Sequence, residues 1–174
     1  MSKSTLKSTP NKEPRLIDRH AWATGYCNVE KELNHVVLKP TKGSIPKNLC
    51  GFFYRNGPGR LERKGQRVHH PFDGDGMITA INFKNGEVTL TNKFVRTEGW
   101  KKEEAKGKFI YRGVFGTQRP GGAIRNAFDL RFKNIANTHV VKLGNQLLAL
   151  WEAAGPHALN PITLETYGLS TLNG

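Results

Sequence analysis

Cysteine is scarce in this chain, with only two in 174 residues. Cys27 and Cys50 cannot provide the disulfide framework of a small secreted domain, and their spacing matches no metal-binding signature. We therefore assign neither cysteine a role beyond packing and take a reducing compartment as the default.

Long apolar runs are also missing. No segment approaches the roughly 20 apolar residues that a membrane-spanning helix requires. The N-terminal segment is rich in Ser, Thr, Lys and Pro and has no apolar centre, so it does not read as a secretory signal. We predict a disordered leader over residues 1–20 and one folded domain over residues 21–174, long enough to bury a moderate core.

Acidic residues are few. The chain has 14 Asp and Glu and 27 Lys and Arg, which gives a formal net charge of +13. Such a balance attracts nucleic acid or anionic lipid, and it is equally compatible with a solvated basic surface that aids solubility. The sequence contains no recognisable base-stacking module, so we do not expect a nucleic-acid partner.

The pattern that is present predicts antiparallel strands joined by tight turns. Asn85-Gly86 separates alternating runs at 77–84 and 87–95, which is typical of a type I′ hairpin. Gly144-Asn145 separates runs at 138–143 and 146–152, and glycine at the first loop position suits a type II′ turn. No βαβ crossover pattern occurs, so the sequence predicts an all-β meander.

Two further segments have distinct patterns. Residues 147–151 are apolar on both faces, which predicts a strand buried on both sides or a short buried helix. Residues 100–128 mix basic and apolar side chains with Gly and Pro, and we predict a loop with a short helix at 123–130. Such a mixture suits a membrane-interface segment, or a long loop packed on its own domain.

Residues 52–77 carry the most informative motif in the chain. We predict tight turns with positive φ at Asn56-Gly57-Pro58-Gly59 and at Asp73-Gly74-Asp75-Gly76. The motif resembles the N-terminal part of the carotenoid cleavage oxygenases. What carries the resemblance is an aromatic-Arg-Asn-Gly-Pro segment followed by His-Pro-Phe-Asp-Gly-Asp-Gly-Met. The resemblance extends from roughly residue 43 to the end of the chain, through a middle stretch similar to the cyanobacterial apocarotenoid-cleaving branch. A second matching block contains Asn134, 136–138, 148–152, 155–156 and 164–168.

This resemblance implies an incomplete part of a seven-bladed β-propeller with iron on its axis. It implies that non-haem Fe(II) and O2 cleave a conjugated double bond of a carotenoid or apocarotenoid into two carbonyl products. The family holds its iron with four histidines, and none of the six histidines of this chain matches a ligand position. We expect the ligands beyond Gly174 and therefore no activity from these 174 residues alone.

The resemblance also assigns individual residues. Glu152 matches an acid that orients an iron-binding histidine, and Thr138 matches a position beside the iron where it limits access to an open coordination site. Phe72 and Trp151 match the apolar substrate tunnel. Without a catalytic role, Glu152 would be a strand-end residue reaching solvent and the other three would be packing residues.

The membrane expectation rests on Phe115, Ile124 and Phe128, which the resemblance identifies with a patch where lipid-soluble substrates enter. It implies peripheral membrane association in the cytoplasm or the plastid stroma. His139 and His157 are expected to hydrogen-bond locally or to face solvent. The alternative function is a basic membrane-binding or nucleic-acid-binding module without catalysis.

Overall fold

Antiparallel β-sheet dominates the computed structural model, which describes residues 25–119, 121–122, 126 and 132–172. The predicted leader at 1–20 lies outside these residues. The strands are β1 Leu33–Leu38, β2 Gly51–Arg60, β3 Glu62–Arg63, β4 Gln66–Arg67, β5 Asp75–Lys84, β6 Glu87–Phe94, β7 His139–Leu143, β8 Gln146–Trp151, β9 Ala154–Leu159 and β10 Thr166–Leu169.

Two four-stranded sheets, ordered β1-β6-β5-β2 and β10-β9-β8-β7, accompany a ribbon of β3 and β4. Every strand pair in these sheets is antiparallel, which confirms the all-β prediction. The second sheet is the predicted meander, whereas in the first sheet β1 and β2 pair with the non-consecutive strands β6 and β5. Asn85 and Gly86 have φ of 54° and 83°, as a type I′ turn requires at both loop positions. Gly144 has φ of 55°, the sign that a type II′ turn requires at its first position.

The main core lies between the two sheets. Ile78 of β5 packs in one buried cluster with Leu147 of β8 and Leu159 of β9. The prediction for residues 147–151 is confirmed as a strand, because Leu147 and Ala149 on one face and Leu148 on the other are all buried. Facing apolar surfaces therefore fix how the sheets meet, since burying them removes apolar area from water.

The predicted tight turns in the motif at 52–77 are wrong. Residues 56–59 continue strand β2, Gly74 has an extended φ of −74°, and β5 begins at Asp75. Glycine is needed here for close approach of backbones, because a β-carbon at Gly76 would lie 2.1 Å from the carbonyl oxygen of Ala136. Gly59, Gly74 and Gly76 predicted turns although each marks close packing between elements, whereas the Asn56-Gly57 step simply continues β2.

The prediction of a loop from residue 100 onward is also wrong at its start, where helix α1 spans Glu98–Lys106. The Thr97 hydroxyl accepts a hydrogen bond from the Trp100 amide at the N-terminus, and Gly107 ends the helix with φ of 59°. The helix predicted at 123–130 lies outside the described residues except for Asn126.

A buried ionic network ties α1 to the first sheet. Asp75 forms ion pairs with Arg63, Nη1 to Oδ2 at 3.0 Å, and with Lys133, Nζ to Oδ1 at 2.8 Å. Lys133 also forms an ion pair with Glu103 of α1. All four side chains are buried, and the Phe109 ring lies beneath both cations at 5.3 and 5.4 Å. Buried charges require such mutual pairing, so the network fixes how α1 packs.

Candidate active site

A cavity of about 360 Å³ lies where β2, the end of β8 and the loop before β7 come together. Five predicted site residues line it: Phe72, Phe115, Thr138, Trp151 and Glu152. The remaining two, Ile124 and Phe128, lie outside the described residues. Residues distant in sequence and predicted for different roles therefore share one cavity.

Thr138 and Glu152 form the polar side of this cavity. They flank the two ends of the β7–β8 hairpin, and the Thr138 amide donates to the Leu150 carbonyl at 3.2 Å. This pairing brings their side chains together, and the Thr138 hydroxyl donates to Glu152 Oε2 at 2.9 Å. The Glu152 side chain is exposed, so its carboxylate remains accessible to a further hydrogen-bond donor from the cavity.

Two asparagines brace the backbone around Thr138. Asn56 Nδ2 donates to the carbonyl oxygens of Ala136 and His139, both at 2.9 Å. Asn137 Nδ2 donates to the carbonyl oxygens of Phe72 and Gly74 at 3.0 and 2.8 Å. Sequence reasoning did not single out these roles, although both asparagines belong to the matched motifs.

The opposite side of the cavity is aromatic. The Phe72 and Phe115 rings meet edge to face at 5.5 Å, and the His70 ring lies 4.7 Å from Phe72 and 5.3 Å from Phe115. His70 also caps the 3₁₀ turn Pro71–Asp73, because its Nδ1 accepts from the Phe72 amide at 3.1 Å. Phe72 is 59% exposed, so it is no core residue, whereas Trp151 is buried and forms both core and cavity wall.

The histidine expectations have mixed outcomes. His139 is exposed, as expected. The expectation for His157 is wrong, because it is only 5% exposed and its Nδ1 has no hydrogen-bond partner. Burial, and then the positive charge of Lys101, lower the His157 pKa.

The described residues contain no group of three or more His, Cys, Asp or Glu that could hold a metal ion. No helix within the same ranges has the length and apolar character needed to cross a bilayer.

Comparison with known proteins identifies relatives. Residues 26–174 match the family model for RPE65, retinal pigment epithelial membrane protein. The apocarotenoid-15,15′-oxygenase of Synechocystis is 48% identical over 172 residues, which cover 97% of this chain and 35% of that enzyme. Carotenoid cleavage dioxygenase 7 of Oryza sativa is 34% identical over 148 residues, covering 82% of this chain and 24% of that protein.

Solved structures agree with these matches. A variant of the Synechocystis apocarotenoid oxygenase superposes with a TM-score of 0.84 at 48% identity, over 90% of this chain and 33% of that one. The cobalt-substituted Synechocystis enzyme, 49% identical, superposes equally well. These neighbours are seven-bladed β-propellers, so the two sheets correspond to part of that fold.

The chain spans about a third of the length of these relatives. The family model nevertheless covers most of the chain, and the fold and motifs agree with it. The chain belongs to the RPE65 family, which includes the carotenoid cleavage oxygenases.

Proposed function

We propose that the native protein uses Fe(II) and O2 to cleave a conjugated double bond in a carotenoid or apocarotenoid. One C=C bond and the O–O bond break, and each of the two carbons gains one oxygen atom as a carbonyl. No further reductant is required. The observation that carries the proposal is the single cavity joining the Thr138–Glu152 hydrogen bond to an aromatic wall.

Structures of the Synechocystis enzyme with substitutions support this use of the cavity. They include single changes at a threonine, at a tryptophan and at the glutamate that follows the tryptophan. The same three residue types occur here in the same order and at the same spacing, as Thr138, Trp151 and Glu152.

The aromatic wall binds the substrate in this proposal. Phe72, Phe115 and Trp151 offer flat, apolar contact to a rigid polyene, and contact of this kind excludes water from the double bond. The wall is formed by side chains from the 3₁₀ turn, the loop after α1 and the end of β8, so it is held by three separate elements.

The described residues contain no cluster of side chains that could bind the metal directly. In this proposal they act on it indirectly, by orienting one of its ligands. When bound, Fe(II) supplies the redox chemistry that activates O2. We propose that its histidine ligands come from outside these 174 residues and that Glu152 accepts the N–H of one ligand imidazole. The Thr138 hydroxyl donates a hydrogen bond to Glu152 Oε2, and this bond orients the carboxylate for its contact with that imidazole.

Peripheral membrane binding, in the cytoplasm or the plastid stroma, belongs to the same proposal. Phe72 and Phe115 are 59% and 47% exposed on the aromatic side of the cavity, Val114 beside Phe115 in the chain is 50% exposed, and the chain has a net charge of +13. Exposed apolar groups on a basic protein suit an anionic lipid surface. Co-sedimentation with anionic and neutral vesicles tests it, and equal recovery with both, or with neither, would contradict it.

The test of catalysis compares Glu152→Gln with Glu165→Gln in the native-length protein. Glu165 is an exposed acid that is not among the cavity residues. Loss of the Glu152 negative charge should weaken iron binding roughly 10- to 100-fold and lower apocarotenoid cleavage accordingly. Iron titration and product analysis that gave the same values for both variants would refute the role of Glu152.

A further inference from the structure

A buried carboxylate behind the cavity holds one loop of its wall. Asp73, which is 2% exposed, follows Phe72 in the 3₁₀ turn. Its Oδ1 accepts from the Phe115 amide at 2.9 Å, and its Oδ2 accepts from the Thr117 amide at 3.2 Å and the Thr117 hydroxyl at 2.7 Å. One side chain therefore receives three hydrogen bonds from the loop at 113–117.

The same loop closes tightly around this carboxylate. A β-carbon at Gly113 would lie 2.2 Å from Asp73 Cγ, so the backbone passes directly against the acid. The Gly113 amide donates to the Thr117 carbonyl at 2.8 Å, and Gly116 adopts a φ of 99° that favours glycine. The Thr117 hydroxyl also accepts from the His69 amide at 2.8 Å.

Phe115 is the residue that this arrangement presents to the cavity. Its ring contacts the rings of Phe72 and His70, and both Phe72 and Phe115 line the cavity. Asp73 is not among the lining residues. A molecule in this cavity therefore touches the aromatic side chains that Asp73 positions rather than Asp73 itself.

We propose that Asp73 is a positioning residue for substrate binding. It fixes the loop at 113–117 so that Phe115 and Phe72 form a rigid aromatic wall for the polyene. The inference rests on the proposed function for the identity of the substrate, and it deepens that function by naming what holds the wall in place. A preorganised wall binds more tightly, because the loop loses little freedom when substrate arrives.

Asp75, two residues further on, provides a matched control. It is equally buried, at 1% exposed, but it is bound by Arg63 and Lys133 in the network that anchors α1. Asp73→Asn and Asp75→Asn therefore each neutralise a buried acid in the same segment. Only the first weakens the bonds that hold Phe115.

The experiment uses the native-length protein loaded with Fe(II), and retinal and a longer β-apocarotenal as probes. For Asp73→Asn we expect KM for the longer aldehyde to rise roughly fivefold while kcat changes less than about twofold, since a binding contact is lost. Phe115→Ala should raise KM similarly, and adding Asp73→Asn to it should have no further effect. Asp75→Asn should lower the unfolding midpoint and leave KM unchanged.

A second readout does not depend on catalysis. Hydrogen exchange at the Phe115 and Thr117 amides should accelerate in Asp73→Asn and remain at the native rate in Asp75→Asn. Thr117→Val, which removes only the hydroxyl donor, serves as the milder variant if Asp73→Asn does not fold. It should change KM in the same direction by a smaller factor.

The outcomes separate the two proposals. If the native protein cleaves no polyene, the proposed function fails, and quenching of tryptophan fluorescence by the same aldehydes then measures binding instead. Weaker binding by Asp73→Asn, with native binding by Asp75→Asn, supports the positioning role. Unchanged exchange and affinity in Asp73→Asn, equal effects of the two Asp variants, or additive effects of Asp73→Asn and Phe115→Ala would overturn it.

Discussion

At the scale of single residues, side-chain bonds to distant backbone determine the site. Sequence resemblance singled out Thr138, Glu152 and Phe72 as candidate site residues, and all three line one cavity. It did not indicate what Asp73 or Asn56 do, because each bonds to backbone that is more than 40 positions away in the chain. No local pattern of residue types encodes a partner at that separation.

His157 provides a prediction at the same scale. Burial and Lys101 lower its pKa in the folded protein, whereas in the unfolded chain the pKa returns toward 6.5. Below that value the unfolded state binds the proton first, so folding stability should fall as pH drops below about 6.5 toward the lower pKa of the folded state. Stability that His157 provides is therefore fully present above pH 6.5 and is lost progressively below it.

Urea unfolding of the native protein and of His157→Gln at several pH values checks this expectation. The variant should lose less stability on acidification than the native protein. Parallel profiles for the native protein and His157→Gln would rule out the titration of this histidine as a source of acid sensitivity.

At the scale of elements, local turn signals were reliable only where the chain reverses on itself. The Asn85-Gly86 hairpin was predicted correctly because its geometry depends on those two residues alone. Gly59 and Gly76 were misread because each lies against a neighbouring segment rather than in a turn, and Gly57 was misread because it continues strand β2. Helix α1 was missed although Thr97 and Gly107 mark its ends, because its short sequence is mostly charged.

Two glycines on adjoining strands test this interpretation. Gly76→Ala would bring a β-carbon to 2.1 Å from the Ala136 carbonyl oxygen, whereas Gly57→Ala meets nothing within 4 Å. Gly76→Ala should lower the free energy of unfolding by about 3 kcal/mol or more, since rigid backbone must move. Gly57→Ala should be near neutral. Equal unfolding midpoints for the two variants in urea would contradict the close-approach account.

At the scale of the whole molecule, pattern and composition predicted the class of fold but not how its parts join. The alternating strands indicated antiparallel sheets, and the resemblance supplied the propeller. The ionic network around Asp75 and Lys133 could not be predicted, because its members come from four separate segments. Each of those side chains reads in the sequence as an ordinary surface charge.

Iron stoichiometry is a prediction about the whole molecule. Because the proposal has the histidine ligands come from outside these 174 residues, residues 1–174 alone should bind no stoichiometric Fe(II). Metal analysis after desalting checks this, with the native-length protein as the positive control. One tightly bound iron per 174-residue chain would show that the proposed source of the ligands is wrong.

The most direct measurement is mass spectrometry of the products formed when the native-length, Fe(II)-loaded protein meets a β-apocarotenal in air. The account predicts two carbonyl products whose carbon atoms sum to those of the substrate, and none without O2. It also predicts strong loss of both products in Glu152→Gln but not in Glu165→Gln. An intact, iron-loaded protein that converts no apocarotenoid or carotenoid would contradict the account.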